Sequence, residues 1–294
     1  MGPLLDRIRH GPVVIGDGGI GTMLMARGLA PGDAPERLTL SAPAIIEEVA
    51  RLYFEAGAEI VTTNTFGGSP LRLRMAGLEA EVGRVNRDAV AAVRRAVGSG
   101  AWVSGSVGPT GHLLQPYGEA DPAEVAEGFL LQVAALAEAG VDLFCIETMT
   151  DLEEATLAVA AARRAGGGRP VAATMTFEPT RRGFFTVMGT SIPQAAAVLI
   201  EAGADIVGSN CGNGSATMVE VARQFRAATP APVLIQSNAG LPETRDGVLV
   251  YPETPDIFAE SVRPLVEAGV AIIGGCCGTT PDHVRAMCSA ARRG

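Results

Sequence analysis

Five cysteines stand at positions 145, 211, 276, 277 and 288, and three of them end apolar runs that predict buried strands. Cys211 ends one such run, and Cys276 and Cys277 end a later one. An odd number of cysteines is typical of free thiols or metal ligands in a reducing compartment. The adjacent pair could close only a strained vicinal disulfide, because its Cα atoms lie closer than disulfide geometry prefers. Three thiolates that leave a fourth position open are the ligand set of a catalytic zinc site.

The charge of such a site limits its chemistry. Zn²⁺ with three thiolates has a net charge of about −1, so it is a poor Lewis acid for producing hydroxide. It can still deprotonate an incoming thiol, whose pKa is about 8.5 when free, and keep the sulfur nucleophilic. Attack of a thiolate on an electrophilic methyl group is the reaction that this set suits. Cys145 and Cys288, inside a predicted strand and the last predicted helix, are interpreted as small buried hydrophobic residues.

Other classes of site and partner lose support from the composition. The chain has three histidines and no His-x-His pair, which disfavours the hydrolase and class II aldolase types of metal barrel. His112 and His283 are expected to lie in a loop or on a helix surface. The formal charge of −9, from 32 acidic and 23 basic residues, disfavours nucleic-acid and anionic-membrane partners. The N-terminus carries charges where a secretory apolar core would lie, and the apolar runs are too short to span a membrane, which suits a cytoplasmic protein.

A repeated βα pattern must position the cysteines. Short runs rich in Val and Ile predict eight strands buried on both faces, and stretches with helical spacing, such as 44–56 and 123–139, separate them. Glu-Ala-Gly precedes four of the strands, and its glycine suits the left-handed residue that ends a helix. The pattern predicts a single (β/α)8 barrel of residues 1–294, with residues 1–12 as a short helix across one end. The predicted strands cover 13–17, 59–64, 102–107, 142–147, 171–177, 205–211, 233–238 and 271–276.

In a barrel the active site lies where the strands end and their following loops begin. The strand ends predicted here carry polar and metal-capable side chains, including Asp17, Glu147, Cys211 and Asn238. Cys276 and Cys277 can bind one ion together only if their strand has already broken into a turn, because adjacent residues of a regular strand point to opposite faces. The glycines around them provide that backbone freedom. The segment 178–194 is expected to cover the site as a lid.

Six segments distributed along the whole chain resemble the homocysteine S-methyltransferase family, and most closely the homocysteine-binding barrel of cobalamin-dependent methionine synthase. They are 16–22 (GDGGIGT), 63–66 (TNTF), 147–149 (ETM), 210–212 (NCG), 237–242 (SNAGLP) and 274–281 (GGCCGTTP). The resemblance implies that Cys211, Cys276 and Cys277 bind zinc and that the homocysteine sulfur takes the fourth position. It also implies that Asp17 and Glu147 receive the amino group of the substrate. Asn238 matches a position that, in the synthase type, can occupy the zinc when substrate is absent.

The resemblance bears on the methyl donor as well. The branch that uses S-methylmethionine usually has arginine after the double cysteine, where this chain has Gly278, and the betaine branch has a tyrosine where this chain has Gly67. Both differences favour the synthase type, whose donor would be methylcobalamin on a partner protein or domain. A small donor such as S-methylmethionine, and another thiol or a selenol as acceptor, remain alternatives. From other classes, a lyase or aldolase that uses the acids, or a zinc-binding docking barrel without catalysis, remains open too.

Overall fold

Eight parallel strands form one sheet that curls into a barrel in the computed structural model, which describes residues 4–245 and 248–292. The strands in chain order are β1 (Val14–Ile15), β2 (Ile60–Thr62), β3 (Trp102–Val107), β4 (Leu143–Met149), β5 (Val171–Met175), β6 (Glu178–Thr180), β7 (Gly183–Phe185), β8 (Ile206–Gly214), β9 (Val233–Asn238), β10 (Glu243–Arg245), β11 (Val248–Val250) and β12 (Ile272–Gly275). The order in the barrel sheet is β1-β12-β9-β8-β5-β4-β3-β2. A parallel bridge between Gly16 and Ile60 joins β1 to β2 and nearly closes the barrel.

Helices surround this sheet and connect successive strands. They are α1 (Leu4–His10), α2 (Ile20–Met25), α3 (Glu36–Ser41), α4 (Pro43–Glu55), α5 (Pro70–Arg74), α6 (Val82–Val97), α7 (Pro122–Ala139), α8 (Leu152–Ala165), α9 (Ile192–Glu201), α10 (Ser215–Ala228), α11 (Pro255–Ala259), α12 (Val262–Glu267) and α13 (Pro281–Ala291), with a 3₁₀ turn at Glu79–Glu81. The pairs β6–β7 and β10–β11 are antiparallel hairpins outside the barrel. No helix among the described residues is long and apolar enough to cross a membrane.

The residues that the sequence marks as helix ends and helix starts have these roles in the structure. The four glycines of the Glu-Ala-Gly segments all have positive φ, between 80° and 112°, where each preceding helix ends. Glycine has no Cβ to oppose this conformation, so the chain can turn sharply from helix into strand. Helix starts are marked as well: the side chain of Asp121 accepts a hydrogen bond from the N–H of Ala123 at the start of α7. These local signals account for the regular alternation that builds the barrel.

Two apolar cores stabilise the barrel. Inside it, alternate strand residues such as Val14, Leu143 and Ile272 form a buried cluster, because successive side chains of a strand point to opposite faces. Leu4 and Ile8 of α1 complete that cluster at the end where the strands begin. A larger cluster fills the space between the strands and the helices. The predicted (β/α)8 barrel and its short N-terminal helix are confirmed, and the opposite end of the barrel is left open for a site.

Candidate active site

A cavity of about 260 Å³ opens at the end of the barrel where the strands finish. Five of the six residues predicted from the sequence line it: Asp17, Glu147, Cys211, Cys276 and Cys277. Asn238 lies behind the cysteines instead, 4% exposed, and its Oδ1 accepts a hydrogen bond of 3.1 Å from the N–H of Cys277. The prediction that polar side chains converge at this end therefore agrees with the geometry, although Asn238 supports the wall and does not form it.

The three sulfur atoms form a compact group. Their Sγ atoms all lie within 4.8 Å of one another, and those of Cys211 and Cys277 are 4.0 Å apart. Four ligands arranged tetrahedrally around zinc, each about 2.3 Å from the metal, are about 3.8 Å from each other. The group thus has nearly the size that a zinc site requires. It is the one cluster of three or more possible metal ligands among residues 4–245 and 248–292.

Local backbone geometry turns these cysteines toward each other. β12 ends at Gly275, so Cys276 and Cys277 lie in a turn and can face the same side. Gly278 follows with φ of +81°, a conformation that favours glycine. On β8, which β9 separates from β12, Cys211 itself has φ of +62°, which is rare for a residue with a side chain. The sequence prediction that the strand must break before the two cysteines holds.

Hydrogen bonds among the sulfur atoms separate their pKa values. The thiols of Cys276 and Cys277 donate toward Cys211 and lower the pKa of Cys211 to about 3. The contact with Cys211 raises the pKa of Cys277 to about 11 and, together with the contact with Cys277, raises that of Cys276 well above its usual value. Contact among the three sulfur atoms therefore opposes their simultaneous ionisation. A cation bound among them would displace the thiol protons, as thiolate ligands require.

Two carboxyl groups, of the buried Asp17 and the partly buried Glu147, face the same cavity. The Asp17 carboxyl accepts hydrogen bonds from the N–H of Thr62, at 2.6 Å, and from its hydroxyl, at 3.0 Å. Glu147 accepts one of 2.5 Å from the hydroxyl of Ser106. Burial raises the pKa of each carboxyl to about 7, and the charge of Asp17 adds to the rise at Glu147. Two acids that titrate near neutrality in a cavity are suited to binding a cationic group.

Several functional features escaped the sequence reasoning. Residues 178–194, the expected lid, do not line the cavity in this structure, and Tyr251, which follows β11, lines it instead. His283 is buried and not on a helix surface: Nδ1 lies 3.0 Å from the hydroxyl of Thr280 and Nε2 lies 3.0 Å from the carbonyl of Glu253. His283 is the third residue of α13, where it completes a capping box, and the sequence allows this position to be inferred. His112 lies in an exposed loop, as predicted.

Cys145 and Cys288 lie apart from the thiol group. Cys145 belongs to the cluster inside the barrel, and Cys288 packs between helices with its Sγ 3.4 Å from the carbonyl of Gly57. Both are buried, and all five cysteines are free thiols. The interpretation of these two as small hydrophobic residues is consistent with their surroundings.

Solved structures share this architecture. The metallated form of the homocysteine methyltransferase MmuM from Escherichia coli superposes with a TM-score of 0.81 at 22% identity, over 99% of this chain and 100% of that one. A methyltransferase from Methanosarcina mazei follows with a TM-score of 0.62 at 12% identity. At these identities the likeness establishes the fold. Fold and site together define the class: a (β/α)8 barrel with a thiol cluster and two acids at its open end.

Sequence comparison defines the family. A model described as homocysteine S-methyltransferase matches residues 14–291. Methionine synthase of Mycobacterium tuberculosis is 34% identical over 295 aligned positions, and the alignment covers 95% of this chain and 24% of that protein. Betaine–homocysteine S-methyltransferase 1 of Danio rerio is 31% identical over 306 aligned positions, and the alignment covers 97% of this chain and 74% of that protein. The chain belongs to the homocysteine S-methyltransferase family, although it spans about a quarter of the length of the methionine synthases that it matches.

Proposed function

We propose that residues 1–294 act as one unit that transfers a methyl group to the thiol of homocysteine and so produces methionine. The observation that carries this proposal is the arrangement of the cavity wall, where Cys211, Cys276 and Cys277 lie within 4.8 Å of one another and Asp17 and Glu147 line the same space. A ligand with a thiol at one end and an ammonium group at the other matches these two sets. The cavity of about 260 Å³ lies at the small end of ligand sites, which suits an amino acid.

Zinc fits the thiol group on two grounds. Three soft sulfur donors of the right spacing are present, and the barrel holds them in place, because Cys211 lies within β8 and the other two directly follow β12. Zinc held by Cys211, Cys276 and Cys277 would lower the pKa of an added thiol and keep its sulfur nucleophilic. The free thiols that this chemistry needs fit a reducing compartment such as the cytoplasm.

The two acids orient the substrate. An ammonium group near Asp17 and Glu147 favours their ionised forms, because an opposite charge opposes the effect of burial on their pKa. Thr62 and Ser106 hold the carboxyl groups in place by hydrogen bonds. The α-carbon of the substrate, which carries the amino group, is thereby fixed in place. The substrate thiol is then directed toward the cysteines on the same cavity wall.

For the methyl donor we propose methylcobalamin carried by a partner protein or domain. A corrinoid is far larger than the cavity, so its methyl group would have to be presented from outside. A Cβ atom at Gly278 would lie 2.2 Å from Cγ of Tyr251, so the arginine that the S-methylmethionine branch has at this position cannot coexist with Tyr251 where it stands. Small donors, and another thiol or a selenol as acceptor, are the alternatives that the assay below separates.

The test is the metal content and the zinc-edge X-ray absorption spectrum of the purified protein, with and without homocysteine. We expect one zinc per chain, with sulfur ligands rising from three to four when homocysteine is added. A sulfur count that ignores homocysteine, in protein prepared with ample zinc and reductant, would contradict the proposal. Methionine formation from methylcobalamin, S-methylmethionine or betaine, each supplied alone, then identifies the donor, and parallel assays with other thiols define the acceptor.

A further inference from the structure

Asn210 makes more hydrogen bonds at the site than any role assigned so far explains. It is fully buried within β8, directly before Cys211, at the point where the regular pairing of β8 with β9 is interrupted. Its Oδ1 accepts from the N–H of Thr148 and from the hydroxyl of Thr174, both at 2.7 Å. Its Nδ2 donates to the hydroxyl of Thr148 at 2.7 Å and to Sγ of Cys276 at 3.9 Å. Both lone pairs and both protons of this amide are therefore used.

The partners of Asn210 belong to both halves of the site. Thr148 directly follows Glu147, the acid that faces the cavity, whereas Cys276 is one of the clustered thiols. The side chain of Asn210 thus joins the end of β4 to the turn after β12, and its own backbone continues into Cys211.

The backbone around these contacts is held in an unfavourable conformation. Thr148, with φ of +58°, and Cys211, with φ of +62°, are the two residues other than glycine with positive φ in the part of the chain that the structure describes. A β-branched residue such as threonine is especially disfavoured there. Such a conformation persists only where surrounding contacts fix it, and Asn210 bonds to Thr148 twice and adjoins Cys211 in sequence. Both unfavourable residues therefore depend on the same side chain.

We propose that Asn210 is a positioning residue that holds the ammonium-binding Glu147 in register with the thiol group, and so sets the preference for a thiol that carries an α-amino group. The inference rests on the proposed function, since it assumes that Glu147 receives the substrate amino group. Without the side chain of Asn210, the N–H of Thr148 loses its acceptor and the end of β4 can relax toward ordinary φ. Glu147 then moves relative to the cysteines, although the cysteines themselves remain.

The experiment compares two ligands of zinc-loaded protein by isothermal titration calorimetry. Homocysteine and 4-mercaptobutanoate have the same thiol and carboxylate, but only homocysteine has the amino group. In Asn210→Ala we expect the affinity ratio of homocysteine to 4-mercaptobutanoate to fall by about tenfold, the size of a lost contact to a charged group. Thr174→Val removes one donor to Asn210 and leaves Asn210 in place, so it should lower the ratio by about threefold. Zinc content should stay at that of the wild type in both variants.

Asn86→Ala is the matched control. Asn86 is also fully buried, and its Nδ2 donates to the carbonyls of Gly68 and Val82, but it does not line the cavity. The Asn86→Ala variant should be less stable than the wild type but keep the wild-type affinity ratio. The control therefore separates a general loss of packing from a loss of the register between Glu147 and the thiol group. If Asn210→Ala does not fold, Thr174→Val decides the question.

The outcomes for the two proposals are distinct. A wild-type protein that binds both ligands equally would contradict amino-group recognition by Asp17 and Glu147, and with it the proposed function. A wild-type preference for homocysteine that survives unchanged in Asn210→Ala and Thr174→Val would overturn the role of Asn210 alone. Equal weakening of both ligands in Asn210→Ala would also overturn it, because that result describes damage to the thiol site without loss of register.

Discussion

Replacing Asp17 by asparagine should make the substrate-free protein more stable and a poorer binder of homocysteine. Asp17 is 2% exposed and accepts two hydrogen bonds from Thr62, but the described residues form no ion pair with it. An asparagine can accept the bond from the N–H of Thr62 and donate to its hydroxyl. The variant therefore keeps the local contacts and removes a carboxylate that is buried without a cation.

The pKa of Asp17 gives the size and the sign of the effect. Burial raises it from 3.8 to about 7. Between these pH values the unfolded chain has released a proton that the folded protein still holds, so stability falls as the pH rises. Above pH 7 the folded wild type bears the full cost of an ionised Asp17 carboxyl. That cost is about 4 kcal/mol, at ~1.4 kcal/mol for each pKa unit between the two values. We expect the free energy of unfolding of Asp17→Asn to exceed that of the wild type by about 1–2 kcal/mol at pH 5 and by about 4 kcal/mol at pH 8.

Urea unfolding of the metal-free, reduced protein at pH 5, 6.5 and 8 measures this difference. Asp142→Asn is the control, because Asp142 also accepts a backbone hydrogen bond, from Val103, but pairs with Arg94 at 2.8 Å. That variant loses a favourable partner and should be less stable than the wild type. An Asp17→Asn protein no more stable than the wild type at pH 8, or a gain that does not grow with pH, would refute the reasoning. Its affinity for homocysteine should fall by about tenfold or more, with 4-mercaptobutanoate unaffected.

Three further predictions concern the metal, the pH and the turn after the cysteines. Cys277→Ala should abolish zinc binding and homocysteine methylation while circular dichroism still reports a folded barrel. The affinity ratio of homocysteine to 4-mercaptobutanoate should rise between pH 6 and 8, because Asp17 and Glu147 lose their protons near pH 7 and only the charged forms attract an ammonium group. Gly278→Ala should lower the free energy of unfolding by about 3 kcal/mol, since φ is +81° and the added Cβ meets Tyr251.

Each of these has a control. For Cys277→Ala the control is Cys288→Ala, because Cys288 lies outside the thiol group and its replacement should leave zinc binding unchanged. The two ligands share the same thiol, so ionisation of sulfur cancels in their ratio, and a ratio that is constant with pH would exclude the acids from recognition. Gly77 also has positive φ, +68°, but a Cβ there meets nothing within 4 Å, so Gly77→Ala should cost only about 1 kcal/mol. Equal losses at the two glycines would show that Tyr251 does not pack against Gly278.

Where the sequence succeeded, the signal was local and periodic. The run 233–238 and the stretch 123–139 became β9 and α7 within a residue, because buried parallel strands and one-sided helices each have a distinct spacing of apolar residues. Strand ends were also predictable, and with them the place of the cysteines, since all parallel strands of a barrel end on the same side. Other features depended on contacts between distant segments. His283 looked like a surface residue because helical position alone does not reveal that Glu253, thirty residues earlier, covers it.

The sequence by itself determined the barrel and the end of it where the three cysteines and the two acids lie, and it predicted these groups as the chemistry of the site. Only the tertiary structure decided how those groups are held. The distances among the sulfur atoms, the raised pKa values of Asp17 and Glu147, and the hydrogen bonds of Asn210 to β4, β5 and the turn after β12 all depend on segments far apart in the chain. Burial and hydrogen bonding are properties of what surrounds a residue in space, and the spacing of residues along one strand or helix contains no record of them.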